Sequence, residues 1–229
     1  MLKKIIFNSV DEFKIFIENN SVIFIGEGSE GKCFLGKDGD VYKDLTEGYY
    51  VENYDIDEII TEEDILLDSF NFPKTLFVID DQLVGYTARY FDNDIFGNNN
   101  LGLPKIEQID FDKLLEARFK MIEDIRILTE NQIGIFDLSY NLLFDGEKLV
   151  GVDTLGYYRD PCITFEQNIG NLDTAIKDAI NGFFIFSLDE EKYQGIDKNQ
   201  DTESFLKQLQ KRVIKKKDKP NQKKKTRIY

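Results

Sequence analysis

The chain has 229 residues, of which 41% are apolar and 31% charged, so it can form a core and is not a wholly disordered chain, a collagen-like repeat or a disulfide scaffold. It contains no histidine, which excludes Ser-His-Asp and Cys-His hydrolysis, His metal sites and His general bases. The formal net charge is −14 for the whole chain and −24 for residues 1–206, which makes the body of the protein a poor candidate for nucleic acid binding because an acidic surface repels a phosphate backbone.

The first residues and the cysteines indicate a cytoplasmic protein. Asp11 and Glu12 follow the first short apolar stretch, so we expect no secretory signal. No apolar run reaches the roughly 18 residues that a transmembrane helix needs. Cys33 and Cys162 are accordingly expected to be reduced thiols.

The first 90 residues predict a strand-rich part of the chain. Their apolar periodicity predicts a short amphipathic helix over Val10–Asn20 and a longer helix over 57–70, closed by Pro73. Alternating apolar residues and short Asp-containing turns predict strands over 21–25, 32–35, 41–45, 75–79 and 83–90. An Asn- and Gly-rich loop over 92–104 follows.

The rest of the chain predicts helices around a single hairpin. Asp110 is expected to cap a helix that ends near residue 131, and further helices are predicted over 166–184 and 202–217. The segment 133–138 and a second loop precede a hairpin formed by 142–144 and 149–152. The order of elements predicts an α+β fold with two lobes, namely residues 1–90 and 91–206, followed by a basic tail over 207–229.

The tail differs in charge from the rest of the chain. Residues 207–229 contain eleven Lys and Arg and one acidic residue, whereas residues 1–206 contain 18 basic and 42 acidic residues. We expect the tail to be a solvated, largely disordered end. The alternatives are that it contacts an anionic polymer or membrane surface, or folds back onto the acidic body.

Three spaced glycines, Gly26, Gly28 and Gly31, lie between two predicted strands. A dinucleotide-binding Rossmann motif needs a helix after its glycines, and the Gly- and Asp-rich turn that follows here cannot begin one. A glycine-rich hairpin turn remains, which can close over phosphates because bare backbone approaches them closely. The alternative is an ordinary hairpin turn.

Lys43 lies twelve residues after Gly31, on the next predicted strand, and Glu62 lies nineteen residues further on, within the predicted helix 57–70. Here the chain resembles the protein-kinase-like superfamily: IGEGSEGKCF is similar to its glycine-rich loop, VYKDL to the strand of its phosphate-binding lysine, and TEEDILLDSFNFP to its C-helix. The resemblance implies that Glu62, or its neighbour Glu63, pairs with Lys43 and orients it toward the nucleotide phosphates. Alternatively, Lys43 is a solvated strand lysine.

The segment IFDLSYNLLFDGEKLVGVDTLG resembles the catalytic loop, the following hairpin and the metal-binding motif of the same superfamily. Asp137 matches the catalytic aspartate, Asn141 the metal-binding asparagine and Asp153 the aspartate of D-F-G. Because Asn141 and Asp153 stand at opposite ends of a tight hairpin, we expect them to lie close together and to hold Mg²⁺ against two phosphates.

The chain also departs from the superfamily pattern. Asp137 and Asn141 are four residues apart where five is usual, and Ile-Phe replaces the usual His-Arg before Asp137. Asp153 is followed by Thr-Leu-Gly in place of Phe-Gly, and no A-P-E follows. Pro161 follows only eight positions after Asp153, which leaves no room for a long activation segment. This layout resembles small bacterial kinase-like proteins and aminoglycoside and choline phosphotransferases more than it resembles eukaryotic-type protein kinases.

The resemblance implies a two-lobed protein-kinase-like fold, with an antiparallel sheet and one C-helix in the N-lobe and a catalytic hairpin in a helical C-lobe. It implies an ATP-binding phosphotransferase that moves the γ-phosphate of Mg-ATP to a hydroxyl of a protein or small molecule. The residues implied in transfer are Gly26, Gly28, Gly31 and Lys43 at the phosphates, Asp137 at the acceptor hydroxyl, and Asn141 and Asp153 at Mg²⁺.

The same resemblance implies a site for the adenine. Its apolar walls would be Ile25, Cys33, Val41 and Leu143, and the backbone near Tyr90 would supply hydrogen bonds. The alternative function is a pseudokinase, which uses the same fold as a nucleotide- or partner-binding module. Transfer of a nucleotide is a third chemistry that such a site would allow.

Overall fold

The structure is a computed structural model that describes residues 3–48, 54–96, 109–186, 196 and 199–217. It has an α+β fold with a mainly antiparallel sheet, and the described residues include four α-helices. The helices are α1 (Val10–Asn20), α2 (Phe111–Glu130), α3 (Phe165–Phe186) and α4 (Thr202–Lys217). The strands are β1 (Lys3–Ile6), β2 (Ser21–Glu27), β3 (Lys32–Gly36), β4 (Asp40–Asp44), β5 (Thr75–Ile79), β6 (Gln82–Arg89), β7 (Ile133–Gly134), β8 (Leu142–Phe144), β9 (Leu149–Gly151) and β10 (Tyr158–Arg159).

Six strands form one sheet in the order β1-β5-β6-β4-β3-β2. The neighbouring pairs are antiparallel except β1 and β5, which run parallel. The five strands predicted for this region are confirmed, and β1 adds an edge that the sequence pattern did not predict. Strand β5 is buried on both faces, so a shift of its register would move core residues to the wrong side.

Helix α1 packs on one face of the sheet. Ser9 caps its N-terminus by accepting a hydrogen bond from the backbone N–H of Glu12. Phe13 and Ile17 are buried, and the ring centroid of Phe13 lies 5.7 Å from that of Phe77 on β5. The cluster on this face is completed by Phe7, Tyr42 and Ile79. Aromatic packing therefore fixes the helix to the sheet.

The predicted helix over 57–70 is wrong, and with it the predicted C-helix. The described residues from 54 to 74 contain only turns, bends and an isolated bridge. Backbone groups of this segment bond to distant positions in the chain: the N–H of Glu62 donates to the carbonyl of Pro73 at 3.0 Å, and the carbonyl of Ser69 accepts from the N–H of Gly151 at 2.9 Å. These partners, one of them on hairpin strand β9, replace the bonds between residues four apart that a helix would form.

Local bonding and packing both act against a helix in this segment. Asp64 accepts hydrogen bonds from the backbone N–H and the hydroxyl of Thr61, both at 2.9 Å, which closes a turn. The β-branched residues at 59–61 also lower helix propensity. Ile59 packs with the sheet and Ile60 with the helical part of the molecule. Apolar residues predicted for one helix face are therefore shared between two cores.

The other three long helices agree with the sequence pattern. The helices predicted over 110–131, 166–184 and 202–217 are confirmed as α2, α3 and α4, within two residues at each end. Asp110 caps α2, as predicted, by accepting from the N–H groups of Asp112 and Lys113. These helices and the β8–β9 hairpin share the largest core cluster. In the part of the chain that the structure describes, no helix is long and apolar enough to cross a membrane.

The basic segment predicted to be a disordered end begins inside α4. Residues 207–217 belong to this helix, and Leu206 and Leu209 are fully buried. The apolar side chains of its first half anchor α4 in the same core as α2 and α3. The prediction for residues 218–229 lies outside the described residues, as does most of the predicted loop 92–104.

We expect Phe13→Ala to lower the free energy of unfolding by about 3–5 kcal/mol, because it empties a fully buried ring site between α1 and the sheet. The matched control is Ile15→Ala in the same helix, whose native side chain is 58% exposed. Its effect should stay below about 1 kcal/mol. Urea unfolding followed by circular dichroism measures both values, and equal losses would contradict the described packing of α1.

Candidate functional site

Strand register sets a row of side chains across one face of the sheet. Cys33 of β3 pairs with Lys43 of β4, and Lys43 pairs with Tyr86 of β6. Gly26 of β2 lies opposite Cys33. Because directly paired residues point to the same face, the row runs across four strands from the glycine turn to Tyr86.

The ammonium of Lys43 is the centre of this row. Lys43 is 6% exposed, and its Nζ donates to both carboxylate oxygens of Asp153 at 2.6 Å and to Oε2 of Glu30 at 2.9 Å. Burial lowers the pKa of Lys43, but the charges of Asp153 and Glu30 raise that pKa by more, so it lies above its ordinary value. Lys43 is therefore a buried, protonated cation and not a solvated strand lysine.

Asp153 is held from the sheet as well as by Lys43. The hydroxyl of Tyr86 donates to Oδ1 of Asp153 at 3.0 Å. Burial, and next the charge of Asp153, raises the pKa of this phenol well above its ordinary value, so Tyr86 stays a donor. The backbone φ of Asp153 is 58°, in the left-handed region, and it turns the chain from β9 into a short 3₁₀ helix, Thr154–Gly156.

Asn141 begins the β8–β9 hairpin and bonds both to the segment before the hairpin and to the residue that follows it. Its backbone carbonyl accepts from the N–H of Val152 at 2.8 Å, so Asn141 lies beside the residue that precedes Asp153. Its side-chain amide nitrogen donates to the backbone carbonyl of Asp137 at 2.8 Å. This bond leaves the amide oxygen as the atom of Asn141 that can coordinate a cation.

Helix α3 supports the strand that leads into Asp137. Asn168 is fully buried; its amide oxygen accepts from the N–H of Ile135, and its amide nitrogen donates to the carbonyl of Ile133, both at 2.9 Å. Asn171 donates to the carbonyl of Ile135 at 2.8 Å. Side-chain amides thus satisfy buried backbone groups just before Asp137 and hold the backbone that positions this residue.

The three loop glycines have different surroundings. A Cβ atom on Gly31 would overlap the backbone carbonyl oxygen of Asp44, so only glycine fits against the end of β4. A Cβ atom on Gly26 or Gly28 would meet no atom of the described chain within 4 Å. Packing within the described protein therefore requires glycine at one of the three positions.

The sheet face, the glycine turn and the hairpin surround a cavity of about 630 Å³. A cavity of this size can hold a nucleotide-sized ligand. Its lining combines apolar side chains such as Val41 with charged ones such as Lys43. The predicted site residues that line it are Ile25, Gly26, Gly28, Gly31, Cys33, Val41, Lys43, Tyr90, Asp137, Asn141, Leu143 and Asp153.

Glu62 does not line this cavity, and its predicted pairing with Lys43 is wrong. The carboxylate of Glu62 pairs with the guanidinium of Arg89 at 2.9 Å. Glu62 lines a second cavity of about 370 Å³, as does Glu63, the other candidate. Because the segment around Glu62 is not helical, no helix turn directs it toward Lys43. The carboxylate that does contact Lys43, apart from Asp153, is that of Glu30.

Three residues of the site were missed from the sequence: Glu30, Tyr86 and Asn168. Glu30 adjoins the glycine that contacts β4, but its position in a turn gave no direction for its side chain. Tyr86 reaches Asp153 through the pairing of β4 with β6, which the sequence pattern alone does not reveal. Asn168 gave no local signal, because its amide meets the backbone groups of Ile133 and Ile135 only in the folded protein.

The donors expected to bind Mg²⁺ are one carboxylate, Asp153, and one amide, Asn141. Among the described residues there is no group of three or more His, Cys, Asp or Glu side chains that could hold a metal ion. Mg²⁺ is commonly bound by one or two carboxylates together with substrate phosphates and water, and it prefers oxygen ligands. The two side chains fit this pattern, although a bound cation would compete with Lys43 for the oxygens of Asp153.

No protein-family model matches this chain, and no curated protein matches it at a significant level. The function is therefore inferred from the arrangement of the site itself.

We expect Gly31→Ala to lower the free energy of unfolding by about 1–3 kcal/mol, because the new methyl group would force the glycine turn away from β4. Gly28→Ala is the matched control, since its methyl group meets no protein atom in the described chain. The control should be neutral or stabilising by less than about 1 kcal/mol. Unfolding of the ligand-free proteins in urea measures the difference, and a Gly31→Ala protein as stable as the control would refute this contact.

Proposed function

We propose that this protein is an ATP-binding phosphotransferase of the protein-kinase-like superfamily, which transfers the γ-phosphate of Mg-ATP to a hydroxyl of a protein or small molecule. The proposal includes a two-lobed organisation, with a sheet and glycine turn before Tyr90 and a helical part with the β8–β9 hairpin after it. The absence of a helix over 57–70 is a departure from the superfamily pattern.

The observation that supports this proposal most strongly is that two distant sequence motifs meet in one cavity. Lys43 and Asp153 are 110 positions apart in the chain, and their charged atoms are 2.6 Å apart. A structural ion pair would account for this contact alone. It would not account for a cavity that also contains the glycine turn, Asp137 and Asn141 among its lining residues.

In the proposed reaction, the bond from the γ-phosphorus to the bridging oxygen of ADP breaks, and a bond to the acceptor hydroxyl oxygen forms. Asp137 accepts the hydroxyl proton and later releases it to solvent. Lys43 donates to phosphate oxygens and offsets their charge, while the backbone at Gly26 and Gly28 can approach them closely.

The remaining side chains bind and orient the nucleotide. Asn141 and Asp153 would hold Mg²⁺, which supplies charge neutralisation at the phosphate oxygens when it is bound. Apolar side chains of Ile25, Val41 and Leu143 would contact the base. Positioning and charge compensation together account for most of the catalytic effect in reactions of this type.

The charge of the cavity makes nucleotide binding depend on a cation. Acidic side chains outnumber basic ones among its lining residues, which include Glu27, Glu30, Asp92, Asp137 and Asp153 against Lys43 and Arg89. Uncompensated carboxylates repel a polyanionic triphosphate. We therefore expect the nucleotide to bind together with its cation and not alone.

The pseudokinase alternative has one specific observation in its favour. The three N–H groups of the Lys43 ammonium match three carboxylate oxygens, two from Asp153 and one from Glu30. The ammonium is thus satisfied within the protein, so the structure does not require a phosphate at this point. A module of this kind would bind nucleotide or a partner without turnover.

We expect Mg-ATP to stabilise the wild-type protein, by about 2.7 kcal/mol when its concentration is 100 times the dissociation constant. ATP with EDTA should give little or no stabilisation, because the carboxylates of the cavity then remain uncompensated. Differential scanning fluorimetry measures both, with Mg²⁺ alone as the control. The same shift with and without Mg²⁺ would contradict the role of Asn141 and Asp153, and no shift with Mg-ATP would contradict nucleotide binding.

We expect Asp137→Asn to reduce release of the γ-phosphate by about 100-fold or more, because it removes the proton acceptor and keeps the shape of the side chain. Asp153→Asn should also reduce release of the γ-phosphate, and added Mg²⁺ should no longer increase that release. Glu147→Gln is the control, since its side chain is 80% exposed in the turn between β8 and β9.

These reactions are followed with ATP labelled at the γ-phosphate. Turnover unchanged in Asp137→Asn would exclude its role as the proton acceptor. Binding of Mg-ATP by the wild type without any turnover would favour the pseudokinase.

A further inference from the structure

The second carboxylate that contacts Lys43 comes from a turn between two strands of the sheet that contains Lys43. Glu30 lies in the glycine turn between β2 and β3, two residues before Lys32. Lys32 pairs with Asp44 and Cys33 with Lys43 in the β3–β4 ladder, so Glu30 lies just beyond the end of that ladder. Its Oε2 accepts from Nζ of Lys43 at 2.9 Å, and its side chain is 28% exposed.

The backbone of Glu30 is fixed by close packing on both sides. A Cβ atom on Gly48 would overlap the carbonyl group of Glu30, and a Cβ atom on Gly31 would overlap that of Asp44. The N–H of Gly28 also donates to the carbonyl of Gly31 at 2.9 Å, which closes the turn. Glycines at two positions thus allow the turn to lie directly against β4 and the residues that follow it.

We propose that Glu30 is a positioning residue for the phosphotransfer reaction, where it orients Lys43 from the glycine turn in place of a glutamate on a helix. This inference rests on the proposed function. Lys43 can exchange its bonds to Asp153 for bonds to phosphate oxygens, while its bond to Glu30 keeps the ammonium in the same position. Nothing in the sequence resemblance assigns a role to Glu30.

The opposite role for Glu30 is that of a competitor, which occupies the place of a phosphate and must leave before a nucleotide binds. A competitor of this kind needs freedom to move away from Lys43. The packing of Gly48 against Glu30 and of Gly31 against Asp44 holds the backbone here, so the carboxylate leaves Lys43 only when the side chain of Glu30 rotates. The two roles also predict opposite effects of removing the carboxylate charge.

The first test measures hydrolysis of Mg-ATP by Glu30→Gln, which keeps the size of the side chain. We expect kcat to fall about tenfold or more, with a smaller change in KM, because a charge-assisted hydrogen bond that positions Lys43 is weakened. Glu18→Gln, on the exposed side of α1, removes the same charge outside the cavity and is the control. An unchanged kcat, or a rise in both turnover and Mg-ATP affinity, would overturn the proposal.

A second variant displaces Glu30 and leaves its carboxylate in place. Gly48→Ala should move the backbone of Glu30 away from β4, because the added methyl group meets the carbonyl of Glu30. We expect this variant to lower kcat in the same direction as Glu30→Gln. Gly170→Ala in α3, where a Cβ atom meets nothing within 4 Å in the described chain, is the control. A fully active, folded Gly48→Ala protein would count against the proposal.

A third measurement needs no nucleotide and separates this inference from the proposed function. The NMR signals of the Lys43 side chain are recorded at one fixed pH in protein with ¹³C-labelled lysine, with Lys43→Met used to assign them. Because Oε2 of Glu30 lies 2.9 Å from Nζ of Lys43, Glu30→Gln should shift these signals and Glu18→Gln should not. Unchanged Lys43 signals in Glu30→Gln would overturn the inference. If the wild type does not bind Mg-ATP, the proposed function fails even when these spectra show the pair.

Discussion

A buried ammonium group must have counter-charges, and in this protein that requirement joins the sheet to the β8–β9 hairpin. Lys43 is 6% exposed, and an isolated charge at such a position would be strongly destabilising. Glu30 supplies one carboxylate from the glycine turn, and Asp153, 110 positions after Lys43 in the chain, supplies the other. Breaking a buried pair by removing one partner costs about 3–5 kcal/mol, so this contact constrains how the hairpin meets the sheet.

The backbone of the hairpin side stores strain at the same place. Asp137, Tyr140 and Asp153 all have φ in the left-handed region, at 47°, 69° and 58°, and all three line the cavity. Each such residue costs on the order of 1–3 kcal/mol and persists only where surrounding contacts hold it. Asn168 and Asn171 provide part of that support through their bonds to the strand before Asp137. Three other non-glycine residues with φ in this region, Asp80, Asp81 and Gln132, lie in turns away from the cavity, so the cavity holds half of such residues in the described chain.

The sequence predicted the elements whose stability is mainly local. Helices α1 and α2 have clear apolar periodicity and side-chain caps at Ser9 and Asp110, so their positions were predictable. The error at 57–70 has a different cause: apolar residues there serve two cores, and their spacing resembles that of a helix face. Strand β1 is four residues long with little burial, so it carries almost no pattern.

The residues of the site were predictable where they belong to a sequence motif. Individual contacts between them were not predictable where they depend on tertiary structure. Twelve predicted residues line one cavity because the register of the sheet and the hairpin brings their motifs together. The Glu62 prediction failed with the helix that carried it, since a residue's direction depends on the local backbone. Glu30 was missed because it stands in a turn, where spacing gives no direction for its side chain.

A carboxylate in the turn beside its lysine has different energetic consequences from one on a separate helix. Because Glu30 lies in the turn that leads into β3, and β3 pairs directly with the strand of Lys43, little conformational freedom remains to be lost when they pair, and the pair is formed before any ligand arrives. The contact that still depends on the relative position of two distant segments is the one between Lys43 and Asp153. Movement of the hairpin relative to the sheet would change that contact and leave the Glu30 pair intact. Conformational control of this site would therefore act through Asp153.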